Sequence, residues 1–296
     1  MDVFVTGASG WIGSASSAEL LAAGHHVRGL ARSELSAEAM RAAGVEPVAG
    51  DLDTLDVLAA EARRADAVLH LGNKHDFDNQ AEMNRTERAA VETFVTALEG
   101  TGKAFVLASG TAIPTTGPLT ELTANPTAGP DAPRGGTENL ALDYVGRGVG
   151  SVALRFAPTV HGPGDHGFVA RLVQIAREHG AAGYVGDGSN RWTAVHRRDA
   201  ARLVLLALEQ AEPGTIVHAV AEEAVTTRSI AKGIGAALGL PTVSVDADDV
   251  MSHFGWLGWI YGMDLPATAQ LTRERFGWQP VEATLAEDLA AGAYTS

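Results

Sequence analysis

Residues 3–21 read VFVTGASGWIGSASSAELL. A short β-rich run ends at Thr6, glycines stand at 7, 10 and 13, and an Ala/Leu-rich helical pattern follows. A dinucleotide site asks for that placement. Gly7 allows the tight turn, Gly10 lets the backbone approach a pyrophosphate, and Gly13 lets the helix lie close on the sheet. The anion then sits among the N–H groups of the helix N-terminus, so Ser9, Trp11 and Ile12 join the glycines as expected cofactor contacts. A glycine triplet alone also suits a plain turn into a helix. The strand before it and the helix after it select the binding role.

The alternation continues along the first half. Strand candidates are DVFVT (2–6), HVRGLA (26–31), VEPVAG (45–50), DAVLHL (66–71), KAFVLAS (103–109) and SVALRF (151–156), separated by stretches with apolar residues at helical spacing. Buried strands alternating with helices imply an α/β fold, a Rossmann-type doubly wound parallel sheet. From about residue 160 the rhythm changes. Gly and Pro cluster in HGPGDHG (161–167) and Gly again in GYVGDGSNRW (183–192), before a helix RRDAARLVLLALEQ (197–210), a strand near 215–220 and a helix from Thr226 or Thr227. Thr284 and Glu287 form a capping box for a last helix. The expected organisation is a dinucleotide-binding domain over 1–160 and a smaller, partly interleaved substrate-binding region over 161–296. Elements at about 192–220 would return to the main sheet.

Composition narrows the function classes. The 296 residues are 46% hydrophobic and 20% charged, with a net charge of −14. That balance argues against nucleic acid or an anionic membrane as partner, because no basic surplus exists to neutralise phosphates. With no Cys, disulfides, thiolate nucleophiles and Cys-ligated metals are all excluded. Met1 leads straight into an apolar run without a basic segment, so no signal peptide and a cytoplasmic location are expected.

The choice of dinucleotide turns on the end of the second strand. NAD sites carry an Asp or Glu there, bonded to the ribose 2′-hydroxyl. This strand ends RGLARSE, with Arg32 and Ser33 in the acid's place and Arg28 upstream. A guanidinium and a hydroxyl match a 2′-phosphate, so NADP(H) is expected over NAD(H). Ser33 also suits a helix cap. Asp51, with Leu52 beside it, is placed to meet the adenine, and Leu71 and Gly72 to line the cofactor.

Taken together, TGASGWIG (6–13), GDL (50–52), VLHLG (68–72), Asn84, LASGT (107–111), LRFAPTVHGPGD (154–165) and GDGSNRWTAVHRRDAA (186–201) span almost the whole chain. In these segments the sequence resembles the extended and atypical short-chain dehydrogenase/reductases, the NAD-dependent epimerase/dehydratase group. The resemblance implies a Ser or Thr after the fifth strand to hold the substrate oxygen, here Ser109 or Thr111. It also implies a Tyr-x-x-x-Lys at the next helix, where a cation lowers the phenol's pKa for proton donation. That motif is missing. GPDAPRGGTENL (129–140) puts Pro130 in the Tyr place and Arg134 in the Lys place, with Gly135 and Gly136 in the first turn of the expected helix. Arg134 would still hold the nicotinamide ribose. His161, Tyr184 and His75 are the candidate proton donors, though each reads more readily as an ordinary loop residue.

No metal site is expected, since His75–Asp78 and His161 with His166 lack zinc spacing. LASGT is not a hydrolase elbow. In FGWLGWIYGMDLP (254–266) the aromatics suit either a core helix or a lid over an apolar substrate; the spacing of Trp256, Trp259 and Met263 favours core. The expected activity is NADP(H)-dependent reduction of a C=O, C=C or C=N bond in a hydrophobic small molecule, with a proton path that avoids tyrosine. Two alternatives remain at this stage: a non-catalytic NADP(H)-binding sensor, and a nucleotide-sugar epimerase or dehydratase. A homodimer through the helix near 80–100 is a further expectation from the resemblance.

Overall fold

Val3, Phe4 and Val5 are all fully buried, so the first strand is covered on both faces, as a central parallel strand must be. Around it the computed structural model, which describes residues 1–74, 76 and 79–295, builds an alternating α/β chain. In order come β1 (Asp2–Thr6), α1 (Trp11–Ala22), β2 (His26–Ala31), α2 (Glu34–Ala42), β3 (Glu46–Ala49), α3 (Leu55–Arg64), β4 (Ala67–His70), α4 (Gln80–Leu98) and β5 (Ala104–Gly110). Next are α5 (Thr137–Asp143), β6 (Gly150–Phe156), β7 (Thr159–His161), α6 (Phe168–His179), β8 (Ala182–Val185), β9 (Arg191–His196), α7 (Arg197–Gln210) and β10 (Ile216–Ala219). The chain ends with β11 (Glu222–Thr226), α8 (Thr227–Leu238), β12 (Thr242–Val245), α9 (Val250–Phe254), α10 (Leu257–Tyr261), α11 (Gln270–Phe276) and α12 (Leu285–Ala290).

Seven strands form the main sheet in the order β10-β6-β5-β4-β1-β2-β3. The pairs β1–β2, β1–β4, β2–β3 and β4–β5 are parallel. This is the doubly wound Rossmann-type sheet. Its strand order reverses beside β1, so the crevice at the carboxyl ends of β1 and β4 is where such folds take their ligand. Smaller sheets, β11-β9-β7 and β12-β8, follow in the second half. Both expected caps form: Ser33 caps α2, and Thr284 with Glu287 closes a capping box on α12.

The chain divides into two interleaved units. The first is Met1–Ser109, Ala124–Arg155 and Ala201–Val217. Phe4, Leu58, Val68, Phe94, Phe105 and Leu107 are at its core. The second is Gly110–Thr123, Phe156–Ala200 and His218–Ser296. Its core includes Trp192, Phe254, Leu257, Tyr261, Ile230 and Leu285. The stripe that buries α9 and α10 is therefore Phe254, Leu257 and Tyr261. Trp256 and Trp259, whose spacing suits a core helix, are 38% and 69% exposed. The chain breaks helix at Gly255, where φ is +59°, and the stripe turns with it. Among the described residues no helix is long and apolar enough to cross a membrane.

The stretch 129–140 does not begin a helix where the sequence suggests. Pro133–Gly136 is a tight turn in which Arg134, Gly135 and Gly136 all take left-handed backbone, at φ 55°, 65° and 63°, and α5 starts only at Thr137. Arg134 is the one non-glycine with positive φ among the described residues, a conformation that costs an L-residue about 1–2 kcal/mol. Contacts from α4 hold it there. The Arg134 N–H donates to Asn84 Oδ1 at 2.9 Å, and Arg88 donates to the Gly135 carbonyl at 2.8 Å. A methyl on Gly135 would lie 2.6 Å from the Asn84 carbonyl, and one on Gly136 would lie 2.7 Å from the Gly129 backbone. These glycines are there for close approach, not as weak helix formers.

The turn also delivers the Arg134 guanidinium to Glu87, with Nη2 2.5 Å from Oε1. Glu87 is buried, and Asn73 donates to its other oxygen at 2.9 Å. Burial alone would raise the Glu87 pKa, but the Arg134 charge and His70 outweigh it and hold the carboxyl down at about 2. His70 in turn lies 2.7 Å from Thr6 Oγ1, which accepts the Gly72 N–H at 3.0 Å. His70 Nε2 faces Glu87 Oε1 at 3.6 Å, so polar groups line the way from the glycine loop to Arg134.

Two outcomes follow for stability. Gly136→Ala should destabilise by about 2 kcal/mol or more in urea unfolding, since strain and collision add. Gly146→Ala, whose methyl meets nothing within 4 Å, should be neutral or mildly stabilising; equal effects at both positions would contradict the left-handed turn. Glu87→Gln should cost up to about 3 kcal/mol at neutral pH. A carboxyl with a depressed folded pKa stabilises above its ordinary value of 4.5 and loses that contribution as pH falls toward 2. The gap in melting temperature between wild type and Glu87→Gln should therefore narrow steadily across that interval; a constant gap would refute the ion pair.

Candidate dinucleotide-binding site

At the carboxyl ends of β1 and β4 the backbone leaves no room for side chains. Gly7 turns at φ +74°, and a methyl on it would lie 2.9 Å from the Gly72 nitrogen. A methyl on Gly13 would lie 2.0 Å from the Gly7 carbonyl oxygen, so α1 can pack this close to the loop only with glycine there. The Gly10 N–H closes the turn onto the Gly7 carbonyl at 2.9 Å. Gly10 caps α1 without any side-chain bond, leaving the N–H groups of the first turn to an incoming anion. Ser9 and Gly10 are exposed, and Trp11, Ile12 and Leu71 are partly so. The cradle fits a pyrophosphate.

On the β2 side, Arg32 is exposed and makes no ion pair or hydrogen bond among the described residues. Its neighbours are already committed. Ser33 accepts the Ser36 N–H at 3.2 Å as the α2 cap, and Glu34 pairs with Arg41 at 2.7 Å. Arg28 is buried, bonded to Asp2 at 2.9 Å and paired with Glu61. The guanidinium left free at the strand end is that of Arg32. Beyond β3, Asp51 accepts the Thr54 hydroxyl at 2.6 Å and the Asp53 N–H at 3.0 Å. The Thr54 bond leads in holding the Asp51 carboxyl below the usual range. Leu52 is buried beside it.

On the β5 side of the same unit, Ser109 donates to Glu138 Oε2 at 2.5 Å. Buried Arg155 grips Glu138 through Nε at 3.1 and 3.2 Å and through Nη2 at 2.5 Å. Arg134, on Glu87, keeps about a third of its side chain exposed. Sequence reasoning missed His70, Glu87 and the Glu138–Arg155 pair. Faint signals existed. Asn84 and Glu87 stand three apart on one helix face, and Arg155 interrupts an otherwise apolar strand.

The remaining candidates lie in the second unit. Thr111 is buried, its hydroxyl 3.1 Å from that of Thr193 and 3.4 Å from the Phe156 carbonyl. His161 is fully enclosed, with Nδ1 2.6 Å from Asp288 and Nε2 3.8 Å from Glu222. Tyr184 is half-buried on β8, with the Arg228 guanidinium 5.4 Å above its ring. Thr111 and His161 both pack on β9, while Tyr184 belongs to the two-stranded sheet. His75 lies outside the described residues. Among those described, no group of three or more His, Asp or Glu could hold a metal.

Similar proteins agree with this geometry. The family model described as "NAD dependent epimerase/dehydratase family" matches residues 3–220. The chain is 42% identical over 296 residues to the "Uncharacterized protein C2A9.02" of Schizosaccharomyces pombe, covering 99% of this chain and 100% of that one. It is 30% identical over 264 residues to a "2-alkyl-3-oxoalkanoate reductase" of Stenotrophomonas maltophilia, covering 82% and 77%. Among solved structures, a dTDP-glucose 4,6-dehydratase of Streptomyces venezuelae with NAD and TYD bound shares the fold at a TM-score of 0.78 and 23% identity, over 99% and 96% of the two chains. With the family model matched over nearly three quarters of its length, the chain belongs to the NAD-dependent epimerase/dehydratase family and is an NAD(P)-dependent enzyme of the oxidoreductase or epimerase type.

Proposed function

We propose that the protein is an NADP(H)-dependent oxidoreductase that reduces a C=O, C=C or C=N bond of a hydrophobic small molecule. One observation carries the cofactor choice: the end of β2 holds an unpaired, exposed guanidinium where an NAD site holds a carboxylate. Arg32 would take the 2′-phosphate, the glycine cradle the pyrophosphate, and Asp51 the adenine side. The similarity to a 2-alkyl-3-oxoalkanoate reductase supports a small carbonyl substrate carrying alkyl groups. Exposed Trp256, stacked edge-on with Phe168 at 5.7 Å, supports an apolar one.

A nicotinamide cofactor supplies the hydride; the chain must orient the acceptor and see a proton delivered. The Tyr and Lys places are Pro130 and an arginine engaged by Glu87. His161 is enclosed and committed to Asp288. The proton then comes from water. This arrangement suits an enone or iminium better than a simple ketone, since those acceptors depend less on a strong acid at oxygen.

Fluorescence titration should show NADPH binding at least about tenfold tighter than NADH, since a guanidinium–phosphate pair is charge-assisted. Arg32→Ala should weaken NADPH by about that factor and leave NADH unchanged. Steady-state oxidation of NADPH over a ketone, enone and imine panel checks the reaction. Tighter NADH binding would overturn the cofactor, and NADPH binding without consumption by any acceptor would make the protein a sensor.

A further inference from the structure

Ser109 is partly buried at the carboxyl end of β5, two strands from β1. At a strand spacing of about 4.8 Å that is about 10 Å across the sheet from the cradle. Arg32 and Asp51 draw the adenosine half toward β2 and β3, which leaves the β4–β5 side for the nicotinamide and its substrate. Resting on the proposed function, the polarity of this hydroxyl deepens it.

A serine hydroxyl has one proton and two lone pairs. Here the proton is given to Glu138 Oε2 at 2.5 Å. Glu138 is itself buried, and its other partner is a guanidinium that is fully buried too. Hydrogen bonds to a carboxylate are about twice as strong as neutral ones. Turning the Ser109 proton outward to a neutral carbonyl would exchange the stronger bond for the weaker and leave Glu138 Oε2 with the longer Arg155 Nε contact at 3.2 Å. Nothing else among the described residues bonds the Ser109 hydroxyl. Its free valence toward a ligand is therefore acceptor only.

We infer that Ser109 is a specificity determinant for a hydrogen-bond donor. The ligand group seated against it is a hydroxyl or N–H carried beside the reducible bond, not the carbonyl oxygen the sequence assigns to it. The substrate class is then a hydroxy- or amino-substituted carbonyl, enone or imine.

Benzoin, benzoin methyl ether and deoxybenzoin are matched probes that carry beside the ketone a hydroxyl, which donates and accepts, an ether oxygen, which only accepts, and no polar group. With NADPH bound, wild type should favour benzoin by about tenfold in binding and in kcat/KM over the other two. Ser109→Ala should reduce that preference to within about twofold. In Glu138→Gln, Arg155 keeps the amide oxygen and the amide N–H points at Ser109. The serine proton is sent outward, where the oxygens of benzoin and of its ether can both accept it, so the preference for benzoin over the ether should fall to within about twofold. If Glu138→Gln fails to fold, Ser109→Ala decides alone. Equal handling of the three probes by wild type, a benzoin preference that survives Ser109→Ala, or no binding of any probe to the NADPH-loaded protein overturns this inference alone. Failure to bind NADPH overturns the proposed function, and this inference with it.

Discussion

A methyl group on Gly13 would lie 2.0 Å from the Gly7 carbonyl oxygen, and everything that binds in the first unit depends on that closeness. Because α1 comes down so tightly on the loop after β1, its first N–H groups face the crevice where the strand order reverses. Gly72 meets Gly7 from the β4 side and pins the same loop through Thr6. Close backbone contacts set the shape of the cradle.

Around this cradle the polar side chains are largely committed to one another. Glu87 holds Arg134, Glu138 holds Ser109 and Arg155, and Asp51 holds Thr54. Arg32 stands out as a charge without a partner in this unit's ligand-facing loops. Where the family resemblance leads one to expect a Tyr-x-x-x-Lys helix start, the chain has a left-handed turn. The turn spends backbone strain at Arg134 and recovers it through Asn84, Arg88 and Glu87, all on α4. The turn fixes a guanidinium against a buried carboxylate whose pKa is held down at about 2.

The parts of the fold legible in the sequence are those set by short-range pattern. β1 and β2 could be bounded to the residue because apolar runs meet glycine or charge at their ends, and the Thr284 capping box is a purely local signal. β8 and β12 escaped notice because each is four residues long and only partly buried. The 129–140 turn was illegible for a different reason: its conformation is imposed by α4, some 50 residues earlier in the chain. His161 sits amid Gly and Pro, which suggests an open loop. Its burial depends on Asp288, 127 residues further on, and no local pattern carries that information. The glycine loop was legible because its shape is made by backbone at a strand end. The Glu87–Arg134, Glu138–Arg155 and His161–Asp288 pairs were not, because their partners lie far apart in the chain.

The most direct measurement is a phosphorus-31 NMR pH titration of NADP+ bound to the purified chain. Free, a 2′-phosphate ionises a second time near about pH 6. Gripped by the Arg32 guanidinium, its dianion should persist to lower pH, moving that step down by about one unit or more, while the pyrophosphate resonances shift with entry into the glycine cradle. A 2′-phosphate that titrates as it does free in solution, with or without movement of the pyrophosphate signals, would contradict the placement of the phosphorylated ribose at the end of β2.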